Sequence, residues 1–271
     1  MTKMNFGSEL KRWRSLKKVS QLDLALTASV SQRHVSWLET GKSQPSRDMV
    51  VQLAEALDMP LRARNELLIS AGFAPLYTER GIEAEAMQPV GDALTQILNH
   101  HNPMPAFVLD KMWRIVMTNS AADRMLDLFG VEGIWDAIGS EEKNLALLAI
   151  HPKGMRPFIG NWKDLSSHFL QRLRKQYMTT HVPQERVALE SIIRLIGDEA
   201  VTAPESHAPL LPVLPLVLRL DELELKLFTV ISTFGTPLDV TVDELRIESF
   251  FAVDQATSDF FSDLQYKSSP S

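Results

Sequence analysis

Four residues in a short segment of the chain have side chains suited to contacting the edges of DNA bases. Gln32 and Arg33 are followed at helical spacing by Ser36 and Trp37. A glutamine can pair bidentately with adenine and an arginine with guanine, while an aromatic face can meet the methyl group of thymine. Because residues three and four apart share a helix face, the segment predicts a helical surface that fits a major groove.

The flanking residues predict the helices that would hold this surface. Ser20 can cap a helix that begins at Gln21, and Ser31 can cap a second helix over residues 32–40. Gly41 would end the second helix in a left-handed conformation, as glycine commonly does. Two short helices joined by a tight turn form a helix-turn-helix.

This part of the chain resembles the Xre/Cro-type helix-turn-helix of phage repressors and many bacterial regulators. The resemblance covers roughly residues 6–72 and includes the segments SQRHVSWLETGK and PSRDMVVQLAEALDMP. It implies an all-α, lambda-repressor-like domain that binds a double-stranded DNA operator. The resemblance also implies that Gln21 contacts a phosphate or supports the second helix.

Two further cations fit phosphate contacts, which position a protein without reading sequence. These are Lys42 and Arg47. The predicted DNA-binding residues are Gln21, Ser31, Gln32, Arg33, Ser36, Trp37, Lys42 and Arg47. Two alternatives stay open: Trp37 is a partly buried packing residue, and Arg33 is a solvated surface charge.

The charge of the chain is unevenly distributed. The net charge is −6, yet residues 1–72 carry 11 basic and 7 acidic side chains, and the remaining residues carry 17 and 27. A basic head on an acidic body is expected if only the head touches phosphate. The absence of cysteine excludes disulfides, thiolate zinc sites and a cysteine nucleophile. With no signal-peptide pattern and no long apolar stretch, we expect a cytoplasmic protein without membrane contact.

The later part of the chain mixes strand and helix patterns. Strand-like runs at residues 106–109 and 113–118 precede a helix that Asn119 can cap, and further strands are expected in residues 213–254. This order is typical of small-molecule sensors of the PAS type. The predicted domains are residues 1–73 (helix-turn-helix), 74–102 (linker and connecting helix), 103–265 (an α+β PAS-like sensor) and 266–271 (a disordered tail).

Three segments of this second domain resemble the MmyB-like ligand-binding domain, which follows Xre-type heads in many bacterial regulators. They are PAFVLDKMWRIVMTNSAADRML, NLALLAIHPKGMRPFIGNW and TVISTFGTPLDVTVDELRIESFFAVD. The resemblance covers roughly residues 103–264. It implies a PAS-like fold with an internal apolar pocket, which in some relatives is associated with fatty-acid-like molecules.

Bulky apolar residues are the first candidates to line such a pocket, although an ordinary core position is the alternative for each. The candidate ligand-binding residues are Trp113, Asn119, Phe129, Arg156, Trp162, Phe169 and Phe228. Arg156 and Asn161 lie in a loop and could hold a carboxylate, or could simply fasten that loop. Asn119 is most simply a helix cap. The acidic stretch at residues 239–248 is most simply solvated.

These observations predict a dimeric, sequence-specific transcriptional regulator whose second domain senses a small apolar or carboxylate ligand. A homodimer is expected because two heads on a palindromic site multiply a weak single contact. The alternative is a regulator whose second domain is a protein-interaction or dimerisation module without a small ligand. The sequence contains no GxSxG, P-loop, GxGxxG or HExxH motif, and its histidines are not spaced as a metal site. We therefore expect no enzyme activity, metal or cofactor.

Overall fold

A computed structural model describes most of the chain, and its residues form two compact units. The described residues are 5–139, 142–180, 182–197 and 213–266. The N-terminal unit comprises residues 1–87 and 234–243, and the C-terminal unit comprises residues 88–233 and 244–271. The chain therefore leaves the N-terminal unit after residue 87, returns to it for residues 234–243 and then leaves it again.

Helices dominate the N-terminal unit, as the sequence predicts. In chain order they are α1 (Phe6–Leu16), α2 (Gln21–Thr27), α3 (Gln32–Glu39), α4 (Arg47–Ala56) and α5 (Leu61–Ser70). Apolar side chains at helical spacing, among them Leu10, Leu24, Val35 and Leu53, are almost fully buried in one core. This is the all-α head that the residue pattern predicted.

Local hydrogen bonds fix where α2 and α3 begin. Ser20 and Asp23 form a reciprocal capping box at the start of α2. The Ser31 side chain accepts a hydrogen bond from the backbone N–H of His34 at the start of α3. Gly41 follows α3 with a φ of 73°, the left-handed conformation expected of it.

A glycine lets α1 approach the end of α3 closely. A Cβ built on Gly7 would lie 2.5 Å from the carbonyl oxygen of Leu38 and 2.6 Å from that of Glu39. Real Cβ atoms do not come so near to backbone atoms, so any larger residue would push the two helices apart. The orientation of α3 on its scaffold therefore depends on this position.

The returning segment, residues 234–243, is fastened to the N-terminal unit by two aspartates. Asp239 is 5% exposed, and its carboxylate accepts hydrogen bonds from the Thr78 hydroxyl and the Arg80 guanidinium. The Asp243 carboxylate accepts from the backbone N–H of Leu61 at the start of α5. The prediction that residues 239–248 are solvated is wrong, because Asp239 is buried and both carboxylates accept hydrogen bonds from other residues of the N-terminal unit.

The described C-terminal unit combines helices with one sheet. Its helices are α6 (Gln88–His101), α7 (Ser120–Leu128), α8 (Val131–Ile138), α9 (Leu145–Ile150), α10 (Trp162–Thr179), α11 (Pro183–Ile196) and α13 (Gln255–Tyr266). The short helix α12 (Val240–Glu244) overlaps the returning segment. Sequence reasoning did not predict α8, which begins directly after Gly130.

The sheet is antiparallel throughout, with the order β2-β1-β5-β4-β3. Its strands are β1 (Ala106–Leu109), β2 (Ile115–Thr118), β3 (Leu216–Leu220), β4 (Leu223–Ser232) and β5 (Arg246–Ala252). The late strand β5 pairs with the early strand β1, so the ends of the unit meet in the middle of the sheet. This α+β arrangement agrees with the predicted fold class.

Two predicted segments differ from the structure in their extent. The predicted linker and connecting helix, residues 74–102, is divided between the units, since residues up to 87 group with the head and α6 groups with the sheet. The predicted disordered tail begins at Tyr266, which is the last residue of α13. Residues 267–271 of that predicted tail lie outside the described residues, as do residues 198–212.

Candidate functional site

The exposed face of α3 carries the side chains predicted to meet DNA bases. Gln32 and Arg33 are exposed, and Ser36 is half-buried. The Arg33 guanidinium lies 4.4 Å from the ring centre of Trp37, whose side chain is 38% exposed. Arg33 and Trp37 therefore pair on the helix surface, and Trp37, with more than half of its side chain covered, also fits the alternative of a partly buried packing residue.

A buried carboxylate holds α3 against the two preceding helices. The Glu39 side chain, 2% exposed, accepts two hydrogen bonds from Arg14, at 2.6 and 3.0 Å. It accepts a third, at 2.7 Å, from the Gln21 side chain. The hydrogen bond to Glu39 raises the pKa of Arg14 above its ordinary value. Two roles were predicted for Gln21, a phosphate contact and support of the second helix, and this geometry agrees with support of that helix, α3.

The remaining predicted DNA-binding residues surround this face. Lys42 and Arg47 are exposed and lie after α3 and at the start of α4. Ser31 is exposed, although its hydroxyl already caps α3. Arg33 and Lys42 thus present cations at opposite ends of one short helix.

A cavity of about 270 Å³ opens within the C-terminal unit. Its walls come from α7, α9 and α10 and from strands β3, β4 and β5, and most of the lining side chains are apolar. The polar residues among them include His168, Arg172, Thr229 and Glu248. Apolar walls with a few polar groups are typical of small-molecule sites.

Four of the seven predicted ligand-binding residues line this cavity. They are Trp113, Trp162, Phe169 and Phe228. Trp113 and Phe169 pack ring against ring, with centres 5.2 Å apart. All four are aromatic; Trp113 and Trp162 lie within the segments that carried the resemblance, and Phe228 directly precedes the third segment.

The other three candidates do not line the cavity, for reasons visible in their contacts. Asn119 is buried as a helix cap, and its side-chain oxygen accepts from the backbone N–H groups of Ala106 and Ala122. Phe129 packs in the core beside Phe158. Arg156 donates to the backbone oxygen of Leu195.

Asn161 was suggested together with Arg156 as a residue that holds a carboxylate, but its side chain hydrogen-bonds to the backbone instead. Its side chain donates to the backbone oxygen of Pro215 and accepts from the backbone N–H of Val217. The loop-fastening alternative therefore describes both residues better than the ligand-holding one.

The cation that borders the cavity is Arg172, which sequence reasoning missed. Its guanidinium lies 4.0 Å from the ring centre of Trp113, and part of the long side chain is exposed. Burial lowers its pKa below the ordinary value, while the charge of Glu248 acts in the opposite direction. Arginine nevertheless stays protonated at neutral pH.

Sequence reasoning also missed Glu248, a buried carboxyl group on β5. Its side chain is 8% exposed, and its Oε2 atom has no hydrogen-bond partner. Burial raises the pKa of Glu248, and the charge of Arg172 and the Thr229 hydroxyl offset part of that rise. The available signal was the alternation in RIESFFA, where Glu248 falls two residues before the buried Phe250 and thus on the same strand face.

Among the described helices, none is both long and apolar enough to cross a membrane. The same residues contain no cluster of three or more histidine, aspartate or glutamate side chains arranged to hold a metal ion.

Comparison with known families gives two matches, and comparison with solved structures gives several likenesses. A model described as "MmyB-like transcription regulator ligand binding domain" matches residues 90–264, and one described as "Helix-turn-helix domain" matches residues 5–67. None of the curated proteins compared with the chain matches it. A solved structure described as "Structure of an RNA-binding Light-Oxygen-Voltage Receptor" aligns with 96% of this chain and 62% of its own, at 13% identity and a TM-score of 0.25.

Proposed function

Because the chain belongs to the transcription regulators with an MmyB-like ligand-binding domain, we propose that it binds a palindromic operator as a dimer and responds to a small, largely apolar molecule. The two family matches make it a DNA-binding transcription regulator with a ligand-binding domain. The dimer, the class of ligand and the roles of single residues are the proposed part.

The observation that carries the proposal is the cavity of about 270 Å³ in the C-terminal unit. Aromatic side chains, among them Trp113, Phe169 and Phe228, supply apolar surface, and the polar residues are few. Such a lining favours a compact molecule with a mostly apolar body, as the sequence resemblance implied. The cation beside this cavity is Arg172 rather than Arg156, which sequence reasoning had suggested.

In the head, α3 is proposed to lie in the major groove. Arg33, held over Trp37, would pair with a guanine, and Gln32 with an adenine. Lys42 and Arg47 would contact phosphates and so fix the register of the helix without reading bases. The buried Glu39 would keep α3 at the angle these contacts require.

Ligand and DNA binding are proposed to be linked through the geometry of the dimer. A ligand changes DNA affinity only if it binds one dimer geometry more tightly than another. Ligand strengthens DNA binding if it prefers the dimer geometry that fits the operator, and weakens DNA binding if it prefers the other geometry. Operator affinity measured with and without ligand gives the direction.

Two measurements on purified full-length protein test the proposal. Selection of bound fragments from random genomic DNA, followed by sequencing, should enrich a palindrome whose half-sites are spaced for two heads. Native mass spectrometry should show two chains together and a small molecule retained or accepted in the cavity. A protein that enriches no fragment over random DNA would contradict operator binding. A dimer that enriches an operator but takes up no small molecule would favour the protein-interaction alternative.

A further inference from the structure

Two buried polar atoms that belong to cavity-lining residues have no hydrogen-bond partner. One is the indole Nε1 of Trp162 and the other is Oε2 of Glu248. The indole N–H can only donate, whereas an ionised carboxylate can only accept. Buried polar groups are nearly always paired in folded proteins, because leaving one unpaired is costly. A donor and an acceptor, on two residues that line the cavity, therefore lack a hydrogen-bond partner among the described residues.

The cavity is bordered by one basic and one acidic side chain, which carry opposite charges when both are ionised. Arg172 on α10 and Glu248 on β5 affect each other's titration through charge. Within the described residues no hydrogen bond or ion pair joins their side chains. Arg246 adds a more distant positive charge, Thr229 offers a hydroxyl beside Glu248, and His168 lines the exposed side.

This balance disfavours a charged headgroup of either sign. An ordinary carboxylate would meet Arg172 favourably but would add a like charge near buried Glu248, unless that group took up a proton. An ammonium group would satisfy Glu248 but would meet Arg172. Charges held in a poorly solvated site act on one another strongly, so either headgroup gains one contact and opposes another.

We propose that the cavity selects an apolar molecule with an uncharged headgroup that both donates and accepts hydrogen bonds, such as an amide or an alcohol, and that Glu248 enforces this choice. The proposal rests on the proposed ligand-sensing function and assigns the chemistry of its polar end. The headgroup accepts from the Arg172 guanidinium and donates to the Glu248 carboxylate. A primary amide does both through its carbonyl and its N–H group.

The test compares three probes that share one alkyl chain and differ only in headgroup: octanamide, octanoate and octylamine. Each is titrated into the full-length protein at about pH 7.5, where the carboxylate and the ammonium are charged, and binding is followed by calorimetry. A site built around a donor and an acceptor discriminates strongly against a headgroup that leaves one unpaired. We expect octanamide to bind about ten- to a hundredfold more tightly than either charged probe.

Glu248→Gln separates the role of this carboxyl group from that of the cavity as a whole. Glutamine keeps the shape and an accepting oxygen, adds a donating N–H group and carries no charge, so the variant should bind octanoate more tightly, and the difference between its affinities for octanoate and octanamide should shrink. The matched control is Glu222→Gln, which removes an exposed carboxylate from the same unit and should leave all three affinities unchanged.

Each result has a distinct meaning. The inference is supported if the wild-type protein prefers octanamide and if Glu248→Gln, but not Glu222→Gln, reduces the difference between the affinities for octanamide and octanoate. Preference for octanoate or octylamine overturns it but leaves sensing of a small apolar molecule in place. Preference for octanamide that Glu248→Gln leaves unaltered overturns the role of Glu248. Failure of all three probes to bind overturns both the inference and the proposed sensing of such molecules.

Discussion

Arg33 owes its orientation on α3 to the aromatic ring beneath it. With its guanidinium 4.4 Å from the ring centre of Trp37, the side chain loses less freedom on pairing with a base than a free surface arginine would. Lys42 is an exposed cation of the same domain beyond the end of α3. The two residues therefore separate base reading from phosphate contact.

Replacing Arg33 with alanine should weaken binding to the selected operator by about 1–3 kcal/mol and relax one base position. Binding to random DNA should change much less, because the lost contact is to a base edge. Fluorescence anisotropy with operator and scrambled duplexes gives both affinities. Equal losses on the two duplexes would show that Arg33 contacts phosphate instead.

Lys42→Ala provides the matched comparison. It should weaken operator and scrambled DNA by similar factors and lower the slope of log affinity against log salt by about 1. Titrations at several salt concentrations measure this slope. A loss confined to the operator would assign Lys42 to base reading.

Glu248 predicts how the stability of the C-terminal unit depends on pH. Burial raises the pKa of Glu248 in the folded chain. Below the unfolded pKa, the carboxyl is neutral in both states. As the pH rises above that value, the unfolded chain ionises first, so the free energy of unfolding falls until the folded pKa is passed.

Glu248→Gln should abolish this fall in the free energy of unfolding with rising pH. The free energy of unfolding of the variant, relative to wild type, should be higher at about pH 8 than at about pH 4.5. Urea denaturation at both pH values measures the difference, with Glu222→Gln as the exposed control. A relative stability that does not change with pH would mean that Glu248 titrates normally.

At the scale of elements, helix and strand geometry brings the residues that line the cavity to the same side. Trp162, Phe169 and Arg172 recur along α10 at intervals of seven and three residues, which places them near one face of the helix. On the sheet, Thr229 of β4 pairs directly with Phe250 of β5, two residues from Glu248. Because paired residues and alternate residues share a sheet face, these side chains reach the cavity together.

The close approach of α1 to α3 predicts a steric effect at Gly7. Gly7→Ala should destabilise the N-terminal unit by about 1–3 kcal/mol, because the new methyl group meets backbone oxygens that cannot rotate away. Operator affinity should fall as well, since α3 would shift on its scaffold. Urea denaturation and operator binding measure the two effects.

Gly91→Ala is the matched substitution. Gly91 lies within α6, and a Cβ there meets no atom within 4 Å. Alanine should therefore stabilise its helix by roughly 0.5–1 kcal/mol. If Gly7→Ala behaved like Gly91→Ala, the tight contact between α1 and α3 would be disproved.

At the scale of the molecule, a basic head is joined to an acidic body. Residues 1–72 hold more basic than acidic side chains, whereas the whole chain has a net charge of −6. The acidic remainder should discourage nonspecific contact with DNA, so affinity must come from the head. Two heads on one operator would supply it.

We therefore expect a dimer that protects two half-sites whose centres lie roughly one helical turn apart, or a multiple of that distance. Light scattering coupled to size exclusion gives the mass, and footprinting on the selected operator gives the spacing. A single protected half-site bound by one chain would contradict the proposed dimer.

The amino-acid sequence alone was sufficient to predict the helices of the N-terminal head. Its caps, its turn and the spacing of Val35 and Leu38 are local features, and the helices they predict are those observed. The acid Glu39 was the exception, because its partners Arg14 and Gln21 lie 25 and 18 residues away. A buried ion pair between distant residues has no local pattern.

In the second domain, sequence reasoning predicted the mixed fold and four aromatic cavity residues but chose the wrong polar ones. Arg156 and Asn161 stood out because they lie in a loop rich in proline and glycine, yet they bind backbone groups. Arg172 and Glu248 were hidden within a helix and within an acidic stretch. Only the tertiary structure decides that these two line one cavity, because they are 76 residues apart along the chain and strands β3 and β4 lie between them.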